Sequence, residues 1–209
     1  MFNFYRGNFL PKYCSMYRLF FKRFFDIIIG ICMFPFILIA IIIIGPIIWL
    51  DDNGPVFYKA KRIAKNGGIF NMYKFRSMKV NAPDIRLENG DTFNSDDDPR
   101  VTKVGRFLRK SSIDEIPQFI NVLIGNMSFI GPRPDTPDFL PVYKKKYPSI
   151  LTIKPGITGY NQAYFRNSID GNEKMKNDDF YARNISFIMD VKILLKTIKT
   201  VLFRENINH

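Results

Sequence analysis

The sequence predicts an α+β fold, mostly helical, with a small β-hairpin, an N-terminal re-entrant membrane helix and amphipathic interfacial helices. Three observations carry this. Residues Ile27 to Leu50 form a run of 24 without a charge. Two short aromatic and β-branched runs flank the turn Lys65-Asn66-Gly67-Gly68. Apolar residues recur at helical spacing through Val104 to Leu108, Ile116 to Ile124 and Ser186 to Phe203. At 209 residues and 46% hydrophobic, the chain can fill one core beside one membrane element, which argues against two full domains.

The elements follow in chain order. Residues 1–26 are an aromatic-rich leader carrying Arg6, Lys12, Arg18, Lys22 and Arg23. The apolar run 27–50, as a helix, is roughly 36 Å long and reaches across a bilayer. It is too long for a cleavable signal peptide and lacks a small-residue cleavage site. The basic leader and the basic segment from Lys59 both ask for the cytoplasmic side. Pro35 and Pro46 each remove a helical hydrogen bond, so a re-entrant hairpin that dips in and returns is favoured over a straight span. A buried core helix is the weaker alternative, because the run has no polar face.

Beyond the turn signal Asp51-Asp52-Asn53-Gly54-Pro55, Val56 to Tyr58 and Ile69 to Phe75 read as the two strands of the hairpin. Asn81 to Asp98 is acidic and poor in apolar residues, the composition of a surface loop. Gly125 suits the end of a helix over 116–124. In the last segment Phe187, Ile188, Val191, Leu194, Leu195, Ile198, Val201 and Leu202 form a stripe opposite Lys192, Lys196 and Lys199. Such a helix either lies on a membrane surface or closes the core.

The net charge of +12 calls for anionic partners, although charge alone does not choose among nucleotide, phospholipid, lipid phosphate and nucleic acid. Cys14 and Cys32 are poorly placed for a disulfide framework and read as free thiols in a reducing compartment. His209 is the sole histidine, which excludes zinc ligand sets and His-based triads. Oxygen ligands remain for any metal, pointing to Mg²⁺ or Mn²⁺.

Asp114 and Glu115 stand as adjacent carboxylates in this basic chain. Ser112 and Glu115 have the spacing of a capping box, in which both side chains would satisfy a helix start. Pro117 fits that box poorly and fits a helix beginning at Asp114 better. Either way the pair would sit at a helix N-terminus, where the dipole favours an ionised Asp114 and free amides favour an incoming phosphate.

The pair belongs to an ordered set of blocks. These are Lys22-Arg23 with Asp26, Gly54-Pro55-Val56-Phe57, Tyr73-Lys74-Phe75-Arg76-Ser77-Met78, Asp98 to Arg109, Ser112 to Gln118, Asn121-Val122-Leu123, Met127-Ser128, Gly131-Pro132-Arg133-Pro134 and Lys154-Pro155-Gly156-Ile157-Thr158-Gly159. Together, over about residues 18 to 200, they closely resemble the bacterial monotopic phosphoglycosyl transferases in their minimal catalytic form. The resemblance implies transfer of a sugar 1-phosphate from a UDP-sugar to polyprenyl (undecaprenyl) phosphate, with release of UMP and ping-pong kinetics, as a first membrane step of surface glycan assembly. It implies Asp114 as the residue that becomes phosphoglycosylated and Glu115 as the Mg²⁺ partner and acid/base, with Asp114 also near the metal; Mn²⁺ is the substitute ion. Residues 51–209 would then be a cytoplasmic catalytic domain at the bacterial inner membrane.

Other roles rest on residue type within those blocks. Arg133, between two prolines, offers a planar fork for phosphate or uracil oxygens. Arg76, Arg100, Arg106 and Arg109 are candidates to line the diphosphate site, with solvated surface arginines as the bland reading. Lys22 and Arg23 are candidates for lipid phosphate, with Asp26 neutralising one of them. Thr158, Gln162, Arg166 and Asn167 fall where a sugar and nucleotide pocket would be shaped, and loop structure is the plain alternative for each.

Some positions depart from the family pattern. Ile39-Ala40 stands where many members have Ser-Pro at the break of the membrane helix, and Asn126, Ala64 and Ala163 to Phe165 also differ. A non-catalytic membrane-anchored phosphate- or lipid-binding protein is the rival reading, but it would lose the acidic pair or its arginines, and both are here. No nucleic-acid recognition motif accompanies the charge. The expected partners are the UDP-sugar, the polyprenyl phosphate and membrane lipid, with a homo-oligomer left open.

Overall fold

The computed structural model describes residues 16–83, 85, 95, 98–165 and 169–203. Arg166, Asn167, Cys14, His209 and most of the basic leader lie outside the described residues. Among the described residues the protein is mostly helical, with two small sheets and one long apolar helix near the N-terminus.

A π-helical turn (Tyr17–Phe21) leads into α1 (Lys22–Asp52), one continuous helix that runs through both Pro35 and Pro46. The prolines do not divide it into two helices. Its buried residues, Asp26, Gly30, Ile37, Ala40, Gly45 and Ile48, make a narrow stripe. Ile31, Phe36, Ile42, Ile43 and Leu50 are exposed, so most of its surface lacks a protein partner among the described residues. It is the one described helix long and apolar enough to cross a membrane. Asn53 ends it in the left-handed conformation, its N–H on the Trp49 carbonyl at 2.7 Å.

The hairpin pairs β1 (Phe57–Ile63) with β2 (Ile69–Phe75), Phe57 opposite Phe75 and Ile63 opposite Ile69. The first strand runs past the expected Tyr58 to Ile63. Its basic residues Lys59 and Lys61 are exposed while Ala60 and Ile63 are buried, and with two buried positions three apart among charged neighbours the sequence carries no period-two signal for the rest of the strand. Asn66 (φ 62°) and Gly67 (φ 76°) make the left-handed turn between the strands.

Next comes α2 (Lys103–Lys110), with the Thr102 side chain accepting from the Gly105 N–H at 2.9 Å. A 3-10 turn (Ile113–Glu115) precedes α3 (Gln118–Ile124), which ends at Gly125 with φ 92°. A second sheet pairs β3 (Ser128–Ile130) in parallel with β4 (Gly156–Thr158). The helices α4 (Leu140–Lys146), α5 (Tyr160–Tyr164), α6 (Gly171–Asn184) and α7 (Phe187–Phe203) complete the described chain.

Three apolar clusters position the site. Ala40 and Ile48 of α1 pack with Phe75 and Leu108, joining the long helix to the hairpin and α2. Ala60, Phe70 and Met72 meet Val122 and Met127 between the hairpin and α3. Ile130, Ala163, Tyr181, Ala182 and Ile193 join β3 to the C-terminal helices. On α7, Ile193 is buried while Phe187, Ile188, Leu195 and Ile198 are exposed. The helix therefore closes the core and still presents apolar surface.

Polar residues dock the start of α1. Asp190 accepts from Tyr17 (2.7 Å), Lys22 (2.5 Å) and Tyr181 (2.7 Å). Asp26 accepts from the Ser128 hydroxyl and the Phe129 N–H. Arg23 donates to the Val122 and Leu123 carbonyls at the end of α3, where a cation also complements the helix dipole. Lys22 and Arg23, expected near lipid phosphate, are thus engaged in anchoring α1 to the folded body, and Asp26 is engaged by β3.

Candidate active site

The site is built where β2, the 113–115 turn and the loop after β3 converge. On β2, Phe70 and Met72 face the core, and period-two alternation brings Lys74 to the same side. Asn121 fixes α3 against this strand: buried completely, it accepts from the Tyr73 N–H at 2.9 Å and donates to the Asn71 carbonyl at 2.8 Å. The acidic turn is held beside Lys74 as a result.

Glu115 is bound on both oxygens. Arg133 reaches them through both terminal nitrogens, one at 3.1 Å, and Lys74 Nζ donates to Oε1 at 2.8 Å. Burial pushes the Glu115 carboxyl up, but Arg133 and Lys74 outweigh it and hold the group far below the ordinary carboxylate range. Asp114 differs. It is 7% exposed, accepts no hydrogen bond among the described residues, and has Lys74 Nζ at 3.7 Å. Burial raises its carboxyl above the ordinary value, with Lys74 opposing and Glu115 adding to the rise.

Ser112 enters this turn at φ 57° and makes no side-chain cap, so the expected capping box does not form. The Glu115 side chain goes to Arg133 and Lys74 instead. Nor does the pair occupy the first turn of an α-helix, since α3 begins at Gln118 with Pro117 as its N-cap. Burial and neighbouring cations, more than a helix dipole, set the state of Asp114 here.

Arg109 stands behind the pair. Its Nε donates to the Ser77 hydroxyl at 2.9 Å. Burial lowers the Arg109 guanidinium, and the carboxylates of Asp114 and Asp98 pull it back up. Lys74, Arg109 and Arg133 thus put three cations around two carboxylates.

The remaining sequence candidates lie in other surroundings. Arg76 is 7% exposed and donates to the Pro55 carbonyl and to Asp52, locking the end of α1. Arg100 is buried against Asp98, close enough to influence Arg109. Arg106 is exposed on α2. The Thr158 hydroxyl pairs with that of Thr197, tying β4 to α7. Gln162 has a buried Oε1 without a partner among the described residues.

Two residues not singled out from the sequence belong in this account. Lys74 is the common neighbour of both carboxylates, and its signal was a lysine on the inward face of an otherwise apolar strand. Gln118, one turn beyond the pair, is 0% exposed, and both its amide atoms lack partners among the described residues. A polar residue opening an apolar helix was its signal.

No group of three or more acidic, His or Cys side chains suited to a resident metal occurs among the described residues. Two carboxylates alone fit a Mg²⁺ ion that keeps waters and shares a substrate's phosphates, as that ion commonly does.

The family model described as bacterial sugar transferase matches residues 17–204. The chain is 43% identical over 202 residues to the galactosyl transferase CpsE of Streptococcus agalactiae, covering 91% of this chain and 44% of that protein. It is 38% identical over 203 residues to the undecaprenyl-phosphate galactose phosphotransferase of Salmonella typhimurium, covering 89% and 41%. With the uncharacterized sugar transferase EpsL of Bacillus subtilis it shares 40% identity, covering 89% of both chains. It therefore spans under half the length of some relatives and most of another.

Proposed function

Because this chain belongs to the bacterial sugar transferase family, we propose that it transfers a sugar 1-phosphate from a UDP-sugar to a polyprenyl phosphate, releasing UMP, through a covalent intermediate on Asp114. The Salmonella relative is named for transfer to undecaprenyl phosphate, which supports the acceptor class. One observation carries the mechanism: of two adjacent carboxylates, Glu115 is tied on both oxygens and Asp114 is buried without a hydrogen bond among the described residues.

A desolvated carboxylate with a raised pKa is more basic than one in water, and so a better nucleophile once ionised. The Asp114 oxygen attacks the sugar-bearing phosphorus of the donor. The phosphorus–oxygen bond to UMP breaks, UMP leaves with the electron pair, and an acyl phosphate carrying the sugar forms. A polyprenyl phosphate oxygen then attacks the same phosphorus, making the lipid diphosphate and returning the Asp114 carboxylate. One pyrophosphate bond is broken and one is formed, and because UMP leaves before the lipid phosphate reacts, the cycle is ping-pong.

The donor diphosphate and Asp114 repel each other, which the three cations offset. Arg133 and Lys74, joined to Glu115 at rest, are the groups able to turn toward the diphosphate. Arg109 supports the ionised form of Asp114. Glu115, held ionised, anchors these cations in the resting state and is no proton donor there. Asp114 and Glu115 would hold Mg²⁺ together with the donor phosphates, where the ion supplies further charge neutralisation.

The exposed apolar surface of α1 supports a membrane anchor; the basic segments flanking it support placing the site on the cytoplasmic face of the bacterial inner membrane. The apolar residues of α7 support contact with that membrane's surface. Continuity of α1 through both prolines favours neither a straight span nor a re-entrant path by itself; the basic flanks favour re-entry.

The test is UMP release by detergent-solubilised protein with Mg²⁺, a panel of UDP-sugars and undecaprenyl phosphate. We expect release with at least one donor, and a loss of about 10³-fold or more in Asp114→Asn, the scale expected for removing a nucleophile. Undiminished release by the variant would overturn the assignment.

A further inference from the structure

The loop carrying Arg133 has a second anchor outside the acidic pair. Asp135, two residues beyond Arg133, accepts from Lys174 Nζ at 2.6 Å and from the Tyr143 hydroxyl, and its carbonyl accepts from the Ile63 N–H at 3.0 Å. Lys174 also donates to Asp178 at 3.1 Å, one turn along α6. The other Asp178 oxygen accepts from Asn161 of α5 at 2.7 Å, and the same Asn161 amide donates to the Lys174 carbonyl at 3.0 Å. Asp178 is 1% exposed.

We propose that Lys174 is a positioning residue for Arg133: acting through Asp135, it ties α6 to the Pro132–Pro134 loop and keeps the Arg133 guanidinium aligned on Glu115 and on the incoming diphosphate. This proposal rests on the transferase reading for its kinetic consequence. A plain helix-surface pair between Lys174 and Asp178 would explain the i, i+4 contact and nothing more. The Asp135 contact is different, because it crosses from α6 to the loop that presents an active-site arginine. The short segment from Arg133 to Asp135 is stiffened by Pro134, so displacement at Asp135 is transmitted to Arg133 with little loss. On the other side, Gly131 lies against Gly156 so closely that a Cβ on Gly156 would fall 2.1 Å from the Gly131 nitrogen, and the Gly131 N–H is bound to the Thr158 carbonyl at 2.8 Å. The loop is fixed at one end by this backbone crossing and at the other by Lys174, Tyr143 and the Ile63 N–H, of which Lys174 is the tie to α6.

The charge of Lys174 also matters. Without it, the buried Asp178 loses the cation that opposes its desolvation, and Asp135 loses its link to α6. Lys174→Arg keeps the charge and a donor, whereas Lys174→Met keeps only the stem.

The test pairs kinetics with amide exchange on the full chain in detergent. Lys174→Met is expected to lower kcat/KM for the UDP-sugar about tenfold, the scale of a modest misplacement of a binding group. Lys174→Arg should recover most of it. In an Arg133→Ala background the same Lys174→Met change should cost less than about twofold, because the two residues act as one unit. Hydrogen exchange across residues 131–135 should accelerate in Lys174→Met and return toward the parent rate in Lys174→Arg. A multiplicative kinetic loss in the Arg133→Ala background, or exchange in 131–135 unchanged by Lys174→Met, overturns the proposal. Asp135→Asn, a milder change, is measured in parallel and must show the same dependence on Arg133. If no UDP-sugar is turned over by the parent, the transferase reading fails, and the exchange arm still decides whether Lys174 holds the loop.

Discussion

Asp114 and Glu115 are neighbours in the chain that meet different surroundings. Arg133 and Lys74 keep Glu115 ionised, while burial works against the charge on Asp114. A carboxyl whose folded pKa exceeds its unfolded value binds its proton more tightly when folded. Its ionised form therefore subtracts stability above the folded pKa, and this cost fades as pH falls through that pKa toward about 3.9, the unfolded value. Asp114→Asn should accordingly melt a few degrees higher than the parent at pH 7.5, about 2–4 °C per kcal/mol in a chain of this size, with the difference shrinking at acid pH. Equal melting at both pH values would contradict this account of Asp114. Asp114, Glu115 and Arg133 were readable from the sequence as a motif. Lys74 lies within one of the motif blocks, but its role appears only when strand alternation turns it inward. Arg76, by contrast, has the residue type expected of a phosphate ligand, yet nothing local in the sequence tells that carbonyls and Asp52 already engage it.

At the scale of elements, close approach decides how Arg109 and the acidic turn are placed. Gly105 lies on α2 where a Cβ would fall 1.9 Å from the Ser77 carbonyl oxygen, a backbone atom that cannot swing aside. Gly105→Ala must therefore shift α2 from the strand end, separating Arg109 from its Ser77 partner. Overpacking of this kind costs about 1–3 kcal/mol, so thermal or denaturant unfolding should show a loss on that scale, with reduced activity at temperatures where the protein stays folded. Stability within a few tenths of a kcal/mol of the parent would show that α2 relaxes freely. The long helix, the hairpin turn, the second strand and the Gly125 helix end were legible from the sequence because each has a local signal. The parallel pair β3–β4 was not: two three-residue strands far apart in the chain leave no periodicity, and their pairing depends on the glycine crossing at Gly131 and Gly156. The capping box was a misleading local signal. Its spacing is present, but a left-handed Ser112 and the stronger charged partners of Glu115 win.

Taken whole, the molecule places a basic site beside a long apolar helix that is docked by Asp190, Asp26 and Arg23. The net charge of +12 suits both a diphosphate donor and an anionic lipid surface. The sequence conveyed this pairing of apolar run and basic body, but the docking needed the fold, because Lys22 and Asp190 are distant in the chain and meet only through α7. The central claim is that Asp114 carries the phosphosugar between donor and acceptor. Intact mass of the detergent-purified protein, mixed with Mg²⁺ and each of several UDP-sugars in the absence of lipid acceptor, tests it most directly. The account predicts a mass gain equal to one sugar phosphate with the right donor, absent from Asp114→Asn and discharged when undecaprenyl phosphate is added. UMP release that requires the lipid acceptor, with no adduct on the protein at any time point, would contradict it and point to direct transfer.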